Sequence, residues 1–385
     1  LDYGLSEEQK TLKSLARRIA EERILPVRAE LDETEEFPRS IMKDLADSDI
    51  FRIFIPEEYD GLGGGGLDLC LVIEELSRVC SGVTVCYAAT TLGAYAILEF
   101  GSEEQKQKYL PDIAAGKKLA AFGLTESTAG SDVAAIKTTA EKVPEGYVLN
   151  GTKQFITNGG EAEIYTIIAL TNKSKGPRGA SAFVVEKDTP GFTFGKKEKK
   201  MGIRTSPTRE LVFRNCLVPE ENLIGREGMG FVMTMRILDR SRPGIGAQAV
   251  GIAQGALEAA VDYTAQRIQF GKPIISLPVV QQKIAEMATQ VEAARLLVYA
   301  TARTIDGGAR SYTEEASMAK VFASDVAMKV TTEAVQVCGG AGYMRDYPLE
   351  KMMRDAKITQ IYEGSNEVLR NTIAVGVRKR KARRE

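Results

Sequence analysis

Ile358-Thr359-Gln360-Ile361-Tyr362-Glu363-Gly364-Ser365-Asn366-Glu367-Val368-Leu369-Arg370 closes a long helical pattern and sets a carboxylate between an aromatic ring and a glycine. Gly364 interrupts regular structure there. Two readings of Glu363 follow from the residues alone. A Glu at a pocket wall is partly desolvated, its pKa rises from about 4.3 toward neutrality, and it becomes a general base. A Glu at a helix boundary favours the first turn of the next helix by its charge.

Composition narrows the chemistry around it. The chain has 385 residues, more than one ordinary core holds, so two or three domains are expected. It contains no histidine, which removes histidine triads, histidine metal sites and imidazole acid–base catalysis; proton chemistry near neutrality must use a tuned carboxylate, Lys, Cys or Tyr. A net charge of −1 gives no global attraction to nucleic acid or acidic membranes. The five cysteines (Cys70, Cys80, Cys86, Cys216, Cys338) lack metal-type spacing, so no metal site is expected, and a reduced compartment fits them. No apolar run reaches the ~18 residues of a membrane span, and the N-terminus lacks signal-peptide order. The expected location is the cytoplasm of a bacterial-type cell, or the mitochondrial matrix for a processed chain.

Residues 1–120 read as helices. Leu5, Leu12, Leu15, Ile19 and Ile24 form one apolar stripe behind Ser6 as N-cap, Phe37-Pro38 breaks the pattern, and Ser102 caps a later helix. Gly61 to Gly66 lacks the Gly-Lys-Ser/Thr of a phosphate loop and reads as a flexible turn. Leu67 to Phe100 reads as buried helix. Over 121–225 the period changes to strands, at Leu119–Leu124, Tyr147–Leu149, Phe155–Thr157, Tyr165–Leu170, Ala182–Glu186 and Glu210–Phe213. Asn150-Gly151, Asn158-Gly159-Gly160 and Pro190-Gly191 supply turns. Over 226–385 helices return, at Met229–Leu238, Ala247–Phe270, Val279–Thr304 and Thr313–Val337, enough for a four-helix bundle. Asp239-Arg240-Ser241-Arg242-Pro243 reads as a break within the first pair. The basic end from Arg378 onward reads as a solvated, disordered tail.

Two loops, Phe122-Gly123-Leu124-Thr125-Glu126-Ser127-Thr128-Ala129-Gly130-Ser131-Asp132 and Gln154-Phe155-Ile156-Thr157-Asn158-Gly159-Gly160, combine small residues and hydroxyls that admit a planar polar ligand. They read equally as ordinary loops. Together with Arg354-Asp355-Ala356-Lys357-Ile358-Thr359-Gln360-Ile361-Tyr362-Glu363-Gly364, however, they resemble the acyl-CoA dehydrogenase family over roughly residues 4–376. The resemblance implies an α+β multidomain fold: helical N-terminal domain, β-rich middle domain, helical C-terminal bundle. It implies FAD as cofactor, an acyl-CoA as substrate, an electron-transfer flavoprotein as acceptor and a homotetramer.

Residue by residue, the resemblance makes Glu363 the base and places Tyr362 and Gly364 at the substrate. It puts Phe122, Leu124, Thr125 and Ser131 on FAD, with Ser131 also facing the thioester. Phe155 covers the flavin ring, where many relatives carry Trp, and Thr157 binds near its N5 and O4. Asp239 and Arg242 meet the pantetheine. Arg267, Phe270, Gln336, Gly339 and Gly340 embrace a neighbouring subunit's FAD, and Ser365 and Glu367 also serve the cofactor. Pro278 stands where relatives commonly place a cofactor-contacting Gln. The acyl pocket is expected within Val83–Leu98, which contains Tyr87, Thr90 and Thr91 but no cation. Thr84 falls where glutaryl-CoA dehydrogenases place Arg, so an uncharged short, medium, branched or cyclic acyl group is expected. Alternatives within reach of the same residues are an acyl-CoA oxidase using oxygen, or a non-catalytic assembly or nucleic-acid-binding member of the fold.

Overall fold

A computed structural model describes residues 3–382, so Arg383, Arg384 and Glu385 of the basic tail lie outside the described residues. Helices α1 (Glu7–Ile19), α2 (Arg28–Thr34), α3 (Arg39–Asp47), α4 (Gly66–Phe100) and α5 (Glu103–Ala114) form the first layer. Ser6 and Ser102 cap α1 and α5 through reciprocal bonds with Gln9 and Gln105, satisfying backbone N–H groups that a helix start leaves free. Gly61 to Gly66 is a packed turn, not a loose one. A side chain at Gly61 would strike the Ile55 carbonyl, and the start of α4 is tied to Asp306 by the N–H groups of Gly66 and Leu67.

Strands β1 (Ala120–Gly123), β2 (Thr139–Val143), β3 (Gly146–Thr157), β4 (Ile164–Leu170), β5 (Ala180–Glu186), β6 (Phe192–Lys197), β7 (Thr208–Val218) and β8 (Leu223–Ile224) form one sheet. Its order is β6-β7-β3-β2-β4-β5-β8, with β1 parallel to β4. Asn150-Gly151 is not a turn. β3 runs through it on a bulge, because Gly151 at φ +147° lets the strand press onto Thr138 where any side chain would clash. The hairpin turn instead lies between β2 and β3, and β2, β6 and β8 escaped the alternation count.

Helix α6 (Gly230–Gln266) leads through the short hairpin β9 (Ile268–Gln269) and β10 (Lys272–Pro273) to α7 (Pro278–Asp306) and α8 (Thr313–Cys338). The turn α9 (Gly340–Tyr343), α10 (Leu349–Thr359) and α11 (Asn366–Ala382) follow. The Asp239–Pro243 stretch does not interrupt α6, whose helix continues through Pro243. Pro278 sits in the first turn of α7, where its missing N–H costs nothing. The basic end is helical as far as Ala382, and Arg380 pairs with Glu314 at 2.6 Å. Among the described residues no helix is long and apolar enough to cross a membrane.

Two features position the site. First, α4 and α6 pack backbone to backbone at Gly251 and Gly255. A Cβ there would lie 2.2 Å from the Glu74 carbonyl oxygen and 2.1 Å from that of Arg78. Secondly, α10 is bolted to both other segments. Arg354 pairs with Asp32 of α2 at 2.7 Å and donates to the Met201 carbonyl at 2.9 Å, while Asp355 accepts from the Ile203 N–H and from Lys351 at 2.6 Å. Breaking one partner of such a buried pair costs about 3–5 kcal/mol.

Candidate active site

The loop after α10 is a left-handed turn: Glu363 has φ +52° and Gly364 φ +95°. A non-glycine residue holds such a conformation only where its surroundings fix it. Here they do. Arg242 Nε donates to the Glu363 carbonyl at 3.1 Å, and Lys320 Nζ donates to the Gly364 carbonyl at 2.8 Å and to Asn366 Oδ1 at 2.9 Å. Asn366, buried at the start of α11, donates in turn to Ser324 and to Asp325, each at 2.9 Å. Both carbonyls of the turn are thus drawn onto cations, and the Glu363 N–H has no acceptor among the described residues.

The Glu363 side chain is held at one oxygen. Ser241 Oγ donates to Oε2, while Oε1 has no hydrogen-bond partner among the described residues. Burial raises the carboxyl pKa, and the Ser241 bond, Arg242 and Lys320 pull against that rise without cancelling it. Arg242 itself pairs with Asp239, which also accepts from Thr313, and burial raises the Asp239 pKa. Tyr362 Oη donates to Gln248, which donates to Ser81 at 2.6 Å.

Glu363 faces a cavity of about 600 Å³. Its apolar walls are Val85, Ala88, Ala89 and Leu92 of α4 and Phe231, Met235 and Leu238 of α6. Phe122, Leu124, Thr125, Ser131, Phe155 and Thr157 from the sheet side, and Asp239, Arg242, Tyr362 and Gly364, complete it, so these expected site residues converge on one space. Thr125, Ser131 and Thr157 offer it three hydroxyls with no protein partner among the described residues. Phe155 stands on a bulge of β3 at φ +59°, which turns its ring outward with 59% of its surface exposed. The first loop is tied back beneath. Lys153, fully buried, donates to the Leu124 carbonyl at 3.0 Å and pairs with Glu126 at 2.7 Å, and the Gln154 N–H bonds the Thr125 carbonyl at 2.7 Å.

Part of the expected set lies elsewhere. Arg267, Phe270, Gln336, Gly339 and Gly340 line no part of this cavity and are solvent-exposed, Phe270 by 90%. Ser365 Oγ accepts from the Val368 N–H at 3.4 Å, and Glu367 lies exposed in the first turn of α11 with its pKa lowered by its own backbone N–H and by Ser365. Both stand at the start of α11. Tyr87, Thr90 and Thr91 are also not pocket lining. Tyr87 donates to the Ile50 carbonyl at 3.1 Å, Thr90 to that of Cys86, and all three are buried behind the helix face that meets the cavity. Thr84 is buried too and bonds the Cys80 carbonyl, so it says nothing about pocket charge. The lining itself does: among the described residues Arg242 is its only cation, and it is already paired.

Sequence reasoning passed over Ser241, Lys320 and Gln248. Lys320 carried a signal, a lone charge in the buried face Ala316, Ala319 and Ala323 of α8. Ser241 stood inside a quoted motif, but nothing in one dimension aims its hydroxyl at Glu363.

The comparisons with known proteins agree along the whole chain. Residues 6–117, 121–216 and 228–377 match, respectively, the N-terminal, middle and C-terminal domains of acyl-CoA dehydrogenase. Acryloyl-CoA reductase (NADH) of Anaerotignum propionicum is 48% identical over 382 residues, 99% of this chain and 97% of that protein. The structure of butyryl-CoA dehydrogenase from Megasphaera elsdenii superposes with a TM-score of 0.96 at 46% identity, covering 98% of this chain and 100% of that one. A chain in the structure described as the electron transferring flavoprotein of Acidaminococcus fermentans gives 0.96 at 49% identity, covering 98% and 99%. With every domain matched in order and the fold superposed from end to end, the chain belongs to the acyl-CoA dehydrogenase family.

Proposed function

We propose that this chain carries out the FAD-dependent α,β-dehydrogenation of an uncharged acyl-CoA to the 2-enoyl-CoA, with Glu363 as the base. The observation that carries the proposal is the free Oε1 of a carboxyl raised in pKa, on a residue that lines an apolar cavity together with three unpartnered hydroxyls. FAD fits the same observation. The exposed Phe155 ring offers a planar face, and Thr125, Ser131 and Thr157 offer hydrogen bonds that the protein leaves unused. When bound, FAD supplies the acceptor for the hydride that leaves the β-carbon.

The chain's own residues do the rest. A thioester acidifies its α-hydrogen, and a donor on the carbonyl oxygen lowers the barrier further as negative charge builds there. The unused Glu363 N–H is such a donor, presented by the turn that Arg242 and Lys320 hold. Glu363 Oε1 takes the α-proton, and its partial desolvation makes the carboxylate a stronger base than a solvated one. Val85, Ala88, Ala89, Phe231 and Met235 exclude water from the acyl group. The two electrons go on to an electron-transfer flavoprotein; the similarity to the Acidaminococcus fermentans chain supports that partner. Arg267, Phe270, Gln336, Gly339 and Gly340 serve the cofactor of a neighbouring subunit in a homotetramer, and their exposure in a single chain supports this.

A second reading has its own support. The relative named acryloyl-CoA reductase favours operation in the opposite sense, with protonated Glu363 returning a proton to the α-carbon of an enoyl-CoA. One experiment addresses both. Glu363→Gln keeps size and backbone N–H but removes the base, so bound FAD and acyl-CoA affinity should persist. Anaerobic flavin bleaching by butyryl-CoA, and the reverse reoxidation by crotonyl-CoA, should each slow by about 10²–10⁴-fold. Bleaching at the wild-type rate would show that Glu363 is not the base.

A further inference from the structure

Ser241 Oγ lies within reach of two acceptors, Glu363 Oε2 and the Leu238 carbonyl at 3.1 Å, the latter one turn back along α6. A hydroxyl has a single proton and can serve only one of them at a time. While Glu363 is charged, the carboxylate is the stronger acceptor. Once the carboxyl is neutral that advantage disappears, and the carbonyl is already in place to receive the same proton. Neither state leaves the Ser241 proton without a partner.

We propose that Ser241 is a positioning residue for proton transfer: its hydroxyl holds Oε2 while Glu363 is ionised and turns to the Leu238 carbonyl once Oε1 has taken the α-proton. This rests on the reading of Glu363 as base. The bond engages Oε2 and leaves Oε1 as the carboxylate oxygen with no hydrogen-bond partner among the described residues. The proton leaves the α-carbon as Oε1–H forms, and Ser241 keeps its own proton throughout. Two cations act on the same carboxyl, Arg242 from α6 and Lys320 from α8; Asp239 of α6 in turn pairs with Arg242, and Asp325 of α8 and Glu367 of α11 act on Lys320. Those charges bias Glu363 steadily. Ser241 is the group whose bond can follow the change of charge.

The test compares Ser241→Ala and Ser241→Thr with wild type as FAD-loaded enzymes. It records the anaerobic bleaching rate by butyryl-CoA against pH, bound FAD and the melting temperature. Alanine should move the acidic limb of the profile to higher pH by about one unit, and slow the plateau about tenfold, at unchanged FAD content. Threonine, which keeps the hydroxyl, should restore both. An unmoved limb in the alanine variant, or an equal shift in alanine and threonine, overturns the proposal. Activity retained by Glu363→Gln would instead remove the reading of the base on which it stands, so the two failures are told apart.

Discussion

Lys320→Met tests whether the buried ammonium serves the site or the fold. Burial lowers the Lys320 pKa from its ordinary 10.5 to about 8, against the pull of Glu363. At 1.36 kcal/mol per unit, keeping the group charged costs about 3 kcal/mol. Its bonds to the Gly364 carbonyl and Asn366 are charge-assisted and return about 1.5–3 kcal/mol each. Together the two bonds offset that cost and leave a margin of up to about 3 kcal/mol. Methionine fills similar space without the charge, so unfolding free energy should fall by no more than about 3 kcal/mol. A second sign follows from linkage. Between pH 8 and 10.5 the unfolded chain binds the lysine proton more than the native chain does, so wild-type stability rises with pH there. The variant lacks that rise. Function should respond quite differently. The Gly364 carbonyl loses its anchor, and Glu363 loses a cation that holds its pKa down, so the acidic limb should move upward. A turn displaced by about 1 Å can cost 10²-fold in turnover. Bleaching rates against pH, with thermal melts at pH 7 and 10, check both halves. A large loss of melting temperature with an unmoved rate profile would refute the argument and make Lys320 a packing residue.

Two other outcomes are expected. Arg267→Ala should weaken FAD binding by about tenfold or more through a lost charge-assisted contact worth about 1.5–3 kcal/mol, measured by FAD titration of the correctly assembled protein. Unchanged affinity would remove Arg267 from the cofactor site. Among butyryl-, cyclohexanecarboxyl- and glutaryl-CoA, the last should have the lowest kcat/KM, because the only lining cation, Arg242, is already engaged by Asp239 and a buried unpaired carboxylate costs several kcal/mol. Glutaryl-CoA as the best substrate would mean that another cation enters the cavity.

Much of the architecture was legible because it is written in periods. The stripe behind Ser6, the apolar length of α4 and the switch to alternation near residue 120 each follow from one repeating geometry. What failed were local exceptions. Asn150-Gly151 has turn chemistry but sits in a bulged strand, since a neighbour, Thr138, leaves room only for glycine. Pro243 has breaker chemistry but lies inside α6, where packing overrides propensity. At the site, residue types were readable and directions were not. Tyr87 and Thr91 share a helix with Ala88 and Leu92 yet face the other way, and the Ser241 contact joins residues 122 positions apart.

The backbone contact of α4 with α6 at Gly251 and Gly255 has a consequence for how this enzyme can diversify. The helices touch main chain to main chain at that crossing, and Val85 to Leu92 and Phe231 to Leu238, farther along the same pair, contribute walls of the cavity. Between the crossing and the cavity α4 is kinked at Cys80, whose backbone (φ −153°, ψ 102°) is not helical, and at the far end of α4 Arg240 ties the two helices again through Glu99 at 2.9 Å. Volume added at Gly251 or Gly255 must part the two main chains at the crossing, and the kink and the Arg240–Glu99 pair govern how much of that shift reaches the cavity wall. A substitution at Gly251, one turn from the lining residue Gln248, therefore acts on the shape of the cavity through the backbone while leaving Glu363 and every lining residue in the sequence untouched.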